Sequence, residues 1–142
     1  GVLVAYASIY GGTKKAAELL GEKLKAAGVE KVVVSDLARS DMAEVIEDAF
    51  RYDRMVVAAP TYDAGLFPVM EDFLNHLKAK NYSNRKVGVV ENGTWAPMAA
   101  KKMTEILATL KNVTLAETVV TVKSTLSAES EAAMDKLVQE LV

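Results

Sequence analysis

Cysteine is missing from this chain of 142 residues, so neither a disulfide nor a thiolate metal site can form, which suits a reducing compartment. Histidine is nearly missing too. His76 stands alone, and one imidazole with no clustered His or carboxylate pattern cannot assemble a non-haem iron pair or a zinc centre. Neither sign of charge dominates. With 17 Lys and Arg against 19 Asp and Glu, the net charge is −2, which excludes the basic footprint of a nucleic-acid binder and an acidic tail. No apolar run reaches the roughly 18 residues of a membrane span, and no signal-peptide pattern opens the chain. The expectation is a cytoplasmic protein with neither a membrane nor a nucleic-acid partner. What remains is 51% hydrophobic content, enough for one domain over residues 1–142 and too little chain for two. Gly1 opens directly into an apolar run, as expected of a segment cut from a longer protein or a residue left by cloning.

The stretch that organises the chain is Ser8-Ile9-Tyr10-Gly11-Gly12-Thr13, between the apolar run Val2 to Ala7 and a helical pattern starting near Thr13. Paired glycines turn tightly and clear side chains from in front of backbone N–H groups, while Ser8 and Thr13 bring hydroxyl donors. The helix that follows adds the positive end of its dipole, so the junction reads as a phosphate cradle. It is not a P-loop, because Lys14 follows Thr13 without the G-K-[ST] ending, and it lacks the G-x-G-x-x-G of a dinucleotide fold.

Beyond it, Ala16, Leu20 and Leu24 recur at helical spacing up to Gly28, a C-cap glycine. Lys31 to Ser35 is a β-branched strand, and Asp41-x-x-Glu44 opens a second helix. Arg54 to Ala59 is apolar on both faces, as a central parallel strand is, and is expected to end at Pro60. Thr61 to Phe67 reads as a loop, with Pro68 the first residue of a third helix. Val87 to Glu91 is the fourth strand; Pro97 is expected to start the fourth helix, Thr118 to Val122 forms the fifth strand, and Ser127 caps the last helix. Five strands alternating with five helices predict an α/β fold, a doubly wound parallel sheet in three layers. Ligands of such sheets lie outside the carboxyl ends of the strands.

Three stretches at those ends carry a resemblance: Ser8 to Thr13; Ala59-Pro60-Thr61-Tyr62-Asp63-Ala64-Gly65-Leu66-Phe67-Pro68; and Glu91-Asn92-Gly93-Thr94-Trp95-Ala96-Pro97. In this order they resemble the flavodoxin-like FMN domain of flavodiiron proteins, and the likeness runs the length of the chain. It implies a flavodoxin-like three-layer sandwich with strand order 2-1-3-4-5 and FMN as cofactor. By resemblance, Ser8, Tyr10, Gly11, Gly12 and Thr13 hold the phosphate, Ile9 lying in the same loop. Pro60, Thr61, Tyr62, Asp63, Ala64 and Gly65 flank the ring and ribityl chain, and Asn92, Gly93, Thr94 and Trp95 close the other side. The resemblance also implies electron relay from a rubredoxin-like donor to a diiron domain elsewhere in a full-length protein, which can be a homodimer. The chain by itself would be an electron-transfer module without a catalytic residue.

The chemistry of the residues agrees. A flavin is flat and amphipathic, so Trp95 and Tyr62, aromatics on loops, are natural neighbours for it. Asp63-Ala64-Gly65 is a flexible turn able to aim a carbonyl at the ring nitrogen N5, with Gly65 the expected positive-φ residue. His76 reads as a solvated residue on a polar helix face, and Lys14 and Lys15 as first-turn lysines that attract a phosphate or are simply solvated. Other functions compete on the same architecture. A phosphorylated receiver domain needs an acidic pair after the first strand and an acceptor Asp after the third, where Ala7-Ser8 and Pro60-Thr61 stand. A quinone reductase using a nicotinamide needs a second nucleotide site, which no stretch supplies. A stand-alone flavodoxin differs from the flavodiiron reading only in what surrounds the chain.

Overall fold

A computed structural model describes residues 1–142 apart from Tyr10, Ala64, Thr94, Trp95 and Ala96. Among the described residues six strands form: β1 (Val2–Tyr6), β2 (Val32–Asp36), β3 (Arg54–Tyr62), β4 (Gly65–Leu66), β5 (Arg85–Asn92) and β6 (Val113–Val122). Five of them run parallel in the order β2-β1-β3-β5-β6, the expected arrangement, while β4 pairs antiparallel with the end of β3. Five helices connect them: α1 (Gly12–Ala26), α2 (Met42–Arg51), α3 (Pro68–Ala79), α4 (Ala99–Leu107) and α5 (Ala128–Leu141).

Period-two alternation divides the strands between two cores. Leu3, Ala5, Met55, Val57, Val87 and Val89 face one side, where Phe73, Leu77, Met103 and Leu107 of α3 and α4 cover them together with α2. Val2, Val4, Val56, Ala58 and Val90 face the other, under Ala17, Leu20 and Leu24 of α1 and Met134, Leu137 and Leu141 of α5. β1 and β3 are therefore apolar at nearly every position, the pattern of strands buried on both faces.

Three boundaries differ from the sequence expectation. β3 does not end at Pro60 but runs on to Tyr62 and folds back, Thr61 pairing with Leu66 and Tyr62 with Gly65. A proline is tolerated there because β1 has already stopped: its last pair with β3 is Tyr6 with Ala58, so no partner awaits an N–H from residue 60. α4 begins at Ala99, not Pro97, because side chains from two strands catch its first N–H groups, as described below. β6 starts at Val113, five residues early, and slips register on the way: Val87 pairs with Leu115 but Val89 with Val119. The slip is held by the Glu140 carboxylate, which accepts from the Thr118 N–H at 2.8 Å and from its hydroxyl.

At the opposite edge Arg85 staples the end of α2. Its guanidinium donates to the carbonyls of Phe50, Tyr52 and Ser83 and lies over the rings of Tyr82 and Phe50, 5.2 and 5.7 Å from their centroids. Tyr82 meets Phe50 edge to face and is 1% exposed, and among the described residues its hydroxyl has no hydrogen-bond partner. Burial pushes that phenol well above its ordinary value.

Two predictions follow from these contacts. Tyr82→Phe deletes an unpartnered buried hydroxyl and keeps the ring, so denaturant unfolding should find it as stable as the parent or more so, by up to about 1 kcal/mol, whereas Tyr82→Ala should lose about 3–5 kcal/mol. A Tyr82→Phe loss matching that of Tyr82→Ala would mean the hydroxyl has a partner after all. The Thr118 hydroxyl, then the Thr118 N–H, hold the Glu140 carboxyl below its ordinary 4.5. A depressed carboxyl stabilises the fold above the unfolded value and ceases to do so as pH falls through the folded one. The melting-temperature advantage of the parent over Glu140→Gln should thus narrow as the pH is lowered from neutrality to below 4.5; a gap independent of pH would contradict this origin.

Candidate functional site

The chain leaves β1 toward β2 on one side and returns to β3 on the other, so strand order reverses at the carboxyl ends of β1 and β3. All five helices start along that edge, and what satisfies their first N–H groups differs. Asp41 accepts from the Ala43 N–H at the head of α2, and Ser127 with Ser130 forms a reciprocal cap on α5. α3 opens with Pro68, which has no N–H at all. α4 is capped from a distance: Thr61 Oγ1 accepts from the N–H groups of Met98 at 2.9 Å and Ala99 at 3.2 Å, and buried Glu91 accepts from Ala100 at 3.1 Å. α1 is the exception. Ser8 Oγ takes the N–H groups of Gly11 at 3.0 Å and Lys14 at 3.4 Å, while among the described residues those of Gly12 and Thr13 have no acceptor. With no acidic residue in its first turn, α1 offers a positive end suited to an outside anion.

Glycine is required at both positions of the pair. Gly11 has φ +88°, a left-handed conformation that costs other residues strain. Gly12 passes so close to its neighbours that a Cβ would lie 2.8 Å from both Asn92 Nδ2 and the Ser124 carbonyl oxygen. Asn92 fastens that close approach. Its Nδ2 donates to Thr13 Oγ1 at 3.3 Å, and its Oδ1 accepts from the Ser124 N–H at 3.0 Å.

These contacts orient the hydroxyl protons. An alcohol oxygen has two lone pairs and one proton. Ser8 and Thr61 each accept from two backbone N–H groups, and Thr13, 1% exposed, accepts from Asn92, so each has its O–H left to donate. The site therefore presents donors and suits a ligand rich in acceptor oxygens.

A cavity of about 350 Å³ opens here, inside the size range of small-molecule sites. Ile9, Gly12 and Thr13 supply one wall, Pro60 and Thr61 a second, Asn92 and Gly93 a third. Three stretches far apart in sequence thus converge. Ser124, between β6 and α5, supplies a fourth wall that sequence reasoning missed, and a second depression of about 370 Å³ shares Gly12 and Ser124 and adds Lys15 and Thr125. Ser124-Thr125 is a hydroxyl pair just past a strand end, but its place at the site is set by Asn92 and not by its own loop. A larger hollow, about 920 Å³, lies elsewhere, between α2 and α3, with Met42, Ile46 and Phe50 on its floor and exposed His76 on its rim. It holds none of the expected site residues and lies away from the carboxyl ends of the strands, so the smaller cavity is the candidate site.

The remaining expected residues divide. Tyr62 is 44% exposed, its ring edge-on to Phe67 at 5.4 Å, so it has a packing partner and still shows a face. Ile9, 39% exposed, stands at the mouth. Gly65 is not the positive-φ residue of the hairpin; Asp63 is, at φ +46°, and Gly65 sits in β4 with ordinary room for a Cβ. The turn therefore relies on aspartate's tolerance of the left-handed region. Tyr10, Ala64, Thr94 and Trp95 lie outside the described residues.

Comparison with known proteins agrees with this geometry. The flavodoxin family profile matches residues 4–136. An uncharacterised protein of Methanocaldococcus jannaschii is 31% identical over 104 residues, which are 72% of this chain and 26% of that protein. The rubredoxin:oxygen oxidoreductase of Desulfovibrio gigas superposes with a TM-score of 0.92 at 20% identity, over 99% of this chain and 34% of that one. A Streptococcus pneumoniae flavodoxin superposes with a TM-score of 0.84 at 23% identity, over 99% of this chain and 96% of its own. The chain thus spans a quarter to a third of the first two proteins and nearly all of the third. With an open α1 terminus among the described residues, a donor-lined cavity at the switch point and a family profile matched over most of its length, the chain belongs to the flavodoxin family.

Proposed function

We infer that the cavity takes FMN and that the chain works as a flavodoxin-type electron carrier. The observation that supports this most directly is the pair of N–H groups at Gly12 and Thr13 that have no acceptor among the described residues, behind glycines that leave no side chain in the way. The 5′-phosphate would sit there, with the Ser8 and Thr13 hydroxyls donating to it and Lys15 close by. The ring would lie toward Pro60, Thr61 and Gly93, flanked by Tyr62 and Trp95. Bound FMN supplies one- and two-electron redox chemistry. The protein's part is to hold the phosphate, place the ring at the edge of the sheet and keep fixed donors around it.

Two settings fit that role. A stand-alone short flavodoxin is favoured by the near-complete superposition on the S. pneumoniae protein. A flavodiiron setting, with a rubredoxin-like donor and a diiron domain elsewhere in a longer, homodimeric cytoplasmic protein, draws on the higher TM-score with the D. gigas oxidoreductase and on the greater length of the M. jannaschii relative. In either setting the chain itself carries electrons.

The purified chain should bind FMN one to one and melt at a higher temperature in its presence, since a ligand that binds only the folded state stabilises it by RT ln(1+[L]/Kd). No shift at saturating FMN would end this reading. Thr13→Val should weaken FMN binding by about 1.5–3 kcal/mol through loss of a hydroxyl donor to a charged acceptor. Riboflavin, which has no phosphate, should bind parent and variant alike by calorimetry. An equal loss for both ligands would mean that the substitution damages the site instead of the phosphate contact.

A further inference from the structure

FMN, placed as above, uses one of two hollows that adjoin at the head of α1. The second, about 370 Å³, is lined by Gly12, Lys15, Ser124, Thr125 and Leu126, and so lies between the first turn of α1 and the residues that lead into α5. Gly12 and Ser124 line both. The second hollow therefore begins where the phosphate end of the first stops. A terminal phosphate at α1 is served by the Gly12 and Thr13 N–H groups and the Ser8 and Thr13 hydroxyls, and it makes no use of Thr125 or Leu126.

What lines the second hollow is chemically distinct. Among the described residues the Ser124 and Thr125 hydroxyls have no hydrogen-bond partner, and the Lys15 ammonium lies within 4.0 Å of no carboxylate. Leu126, half-buried, packs on the core between α1 and α5 and adds an apolar patch beside the hydroxyls. Glu18 and Glu129, the nearest acids in sequence, do not line the hollow. Nor do the hydroxyls serve α5, whose first N–H groups are closed by Ser127 and Ser130. The walls are also set before any ligand arrives: Ser124 sits at φ +68° with its N–H held by Asn92 Oδ1 at 3.0 Å, and the Thr125 N–H donates to the Lys123 carbonyl at 2.8 Å.

A cation, two free hydroxyls and an apolar patch next to a phosphate site are what a nucleoside phosphate joined to that phosphate would meet. Resting on the FMN reading above, we propose that the site also takes FAD, the flavin whose phosphate carries an adenylate. The ring, the ribityl chain and the first phosphate lie as in FMN. The second phosphate then falls to Lys15 and the Thr125 hydroxyl, and the adenosine lies across Leu126. Because the two flavins differ only in the adenylate, the second hollow alone decides whether the chain accepts one or both.

The test measures binding of FMN, and of FAD freed from FMN, to the full chain by calorimetry, and identifies the bound flavin by chromatography after release. FAD should bind within about tenfold of FMN. Backbone NMR spectra of the two complexes should differ at Lys15 and at Ser124 to Leu126 and agree around Thr61 and Gly93. Thr125→Tyr, which brings a ring into the hollow from an exposed position, should weaken FAD by about tenfold or more and leave FMN within about twofold. Thr125→Ser, which keeps the hydroxyl and the space, should bind both flavins as the parent does. The proposal is overturned if FAD binds more weakly than that tenfold limit, if the released flavin is FMN alone, if Thr125→Tyr weakens both flavins alike or neither, or if the spectral differences lie elsewhere. The spectral comparison uses the parent chain, so it decides the matter even where Thr125→Tyr does not fold. FMN binding with FAD rejected refutes this inference alone, whereas rejection of both refutes the cofactor reading on which it rests.

Discussion

Two neighbouring side chains at the end of β5 face opposite sides of the sheet, and the walls of the cavity depend on that alternation. Glu91 reaches the layer that holds α4, takes the Ala100 N–H and receives the Thr121 hydroxyl at 2.8 Å. Asn92 reaches the other layer and joins Thr13 of α1 to the backbone of Ser124. A shift of one residue in the register of β5 would exchange the two and undo both walls. Parallel pairing from Arg54 with Lys86 to Pro60 with Asn92 fixes that register, so an extended ladder in the centre of the sheet sets the geometry of a few polar atoms at its edge.

How far the sequence revealed this depended on whether local or distant atoms decide each feature. β-branched and apolar runs with helical spacing between them are local, and they placed the five parallel strands and the turn of Gly11 and Gly12, while the strand order came from the resemblance of three loops to a known family. The continuation of β3 through Pro60 was hidden because proline's missing N–H is harmless only where β1 has ended, a fact about a strand fifty residues away. Likewise the start of α4 could not be read from Pro97, since Thr61 and Glu91 cap it from other strands. Ser124 was illegible as a wall of the site for a related reason: its place is set by Asn92, and nothing within its own loop announces that bond. The hairpin turn gave a subtler misreading. Glycine is the expected residue at positive φ, yet Asp63 takes that position and Gly65 serves as a strand residue.

The five helix starts show how one edge acquires a direction. Four are closed by a side chain or by proline, and at the fifth, α1, the Gly12 and Thr13 N–H groups have no acceptor among the described residues. An anionic ligand group therefore has one favoured end of the cavity, and the rest of the ligand must extend toward β3 and β5. Orientation follows from which helix lacks a cap, before any contact with the rest of the ligand is counted.

The saturation of the Ser8 and Thr61 oxygens by backbone N–H groups has a kinetic meaning as well. A free hydroxyl swings when nearby charge changes, and electron transfer must wait for such dipoles to turn. Here the lone pairs are held by helix ends that cannot rotate, so the dipoles point the same way before and after the charge arrives. In the carrier role proposed above, the Thr61 dipole would thereby lower the reorganisation energy around the ring, through hydrogen bonds whose evident task is only to start α4.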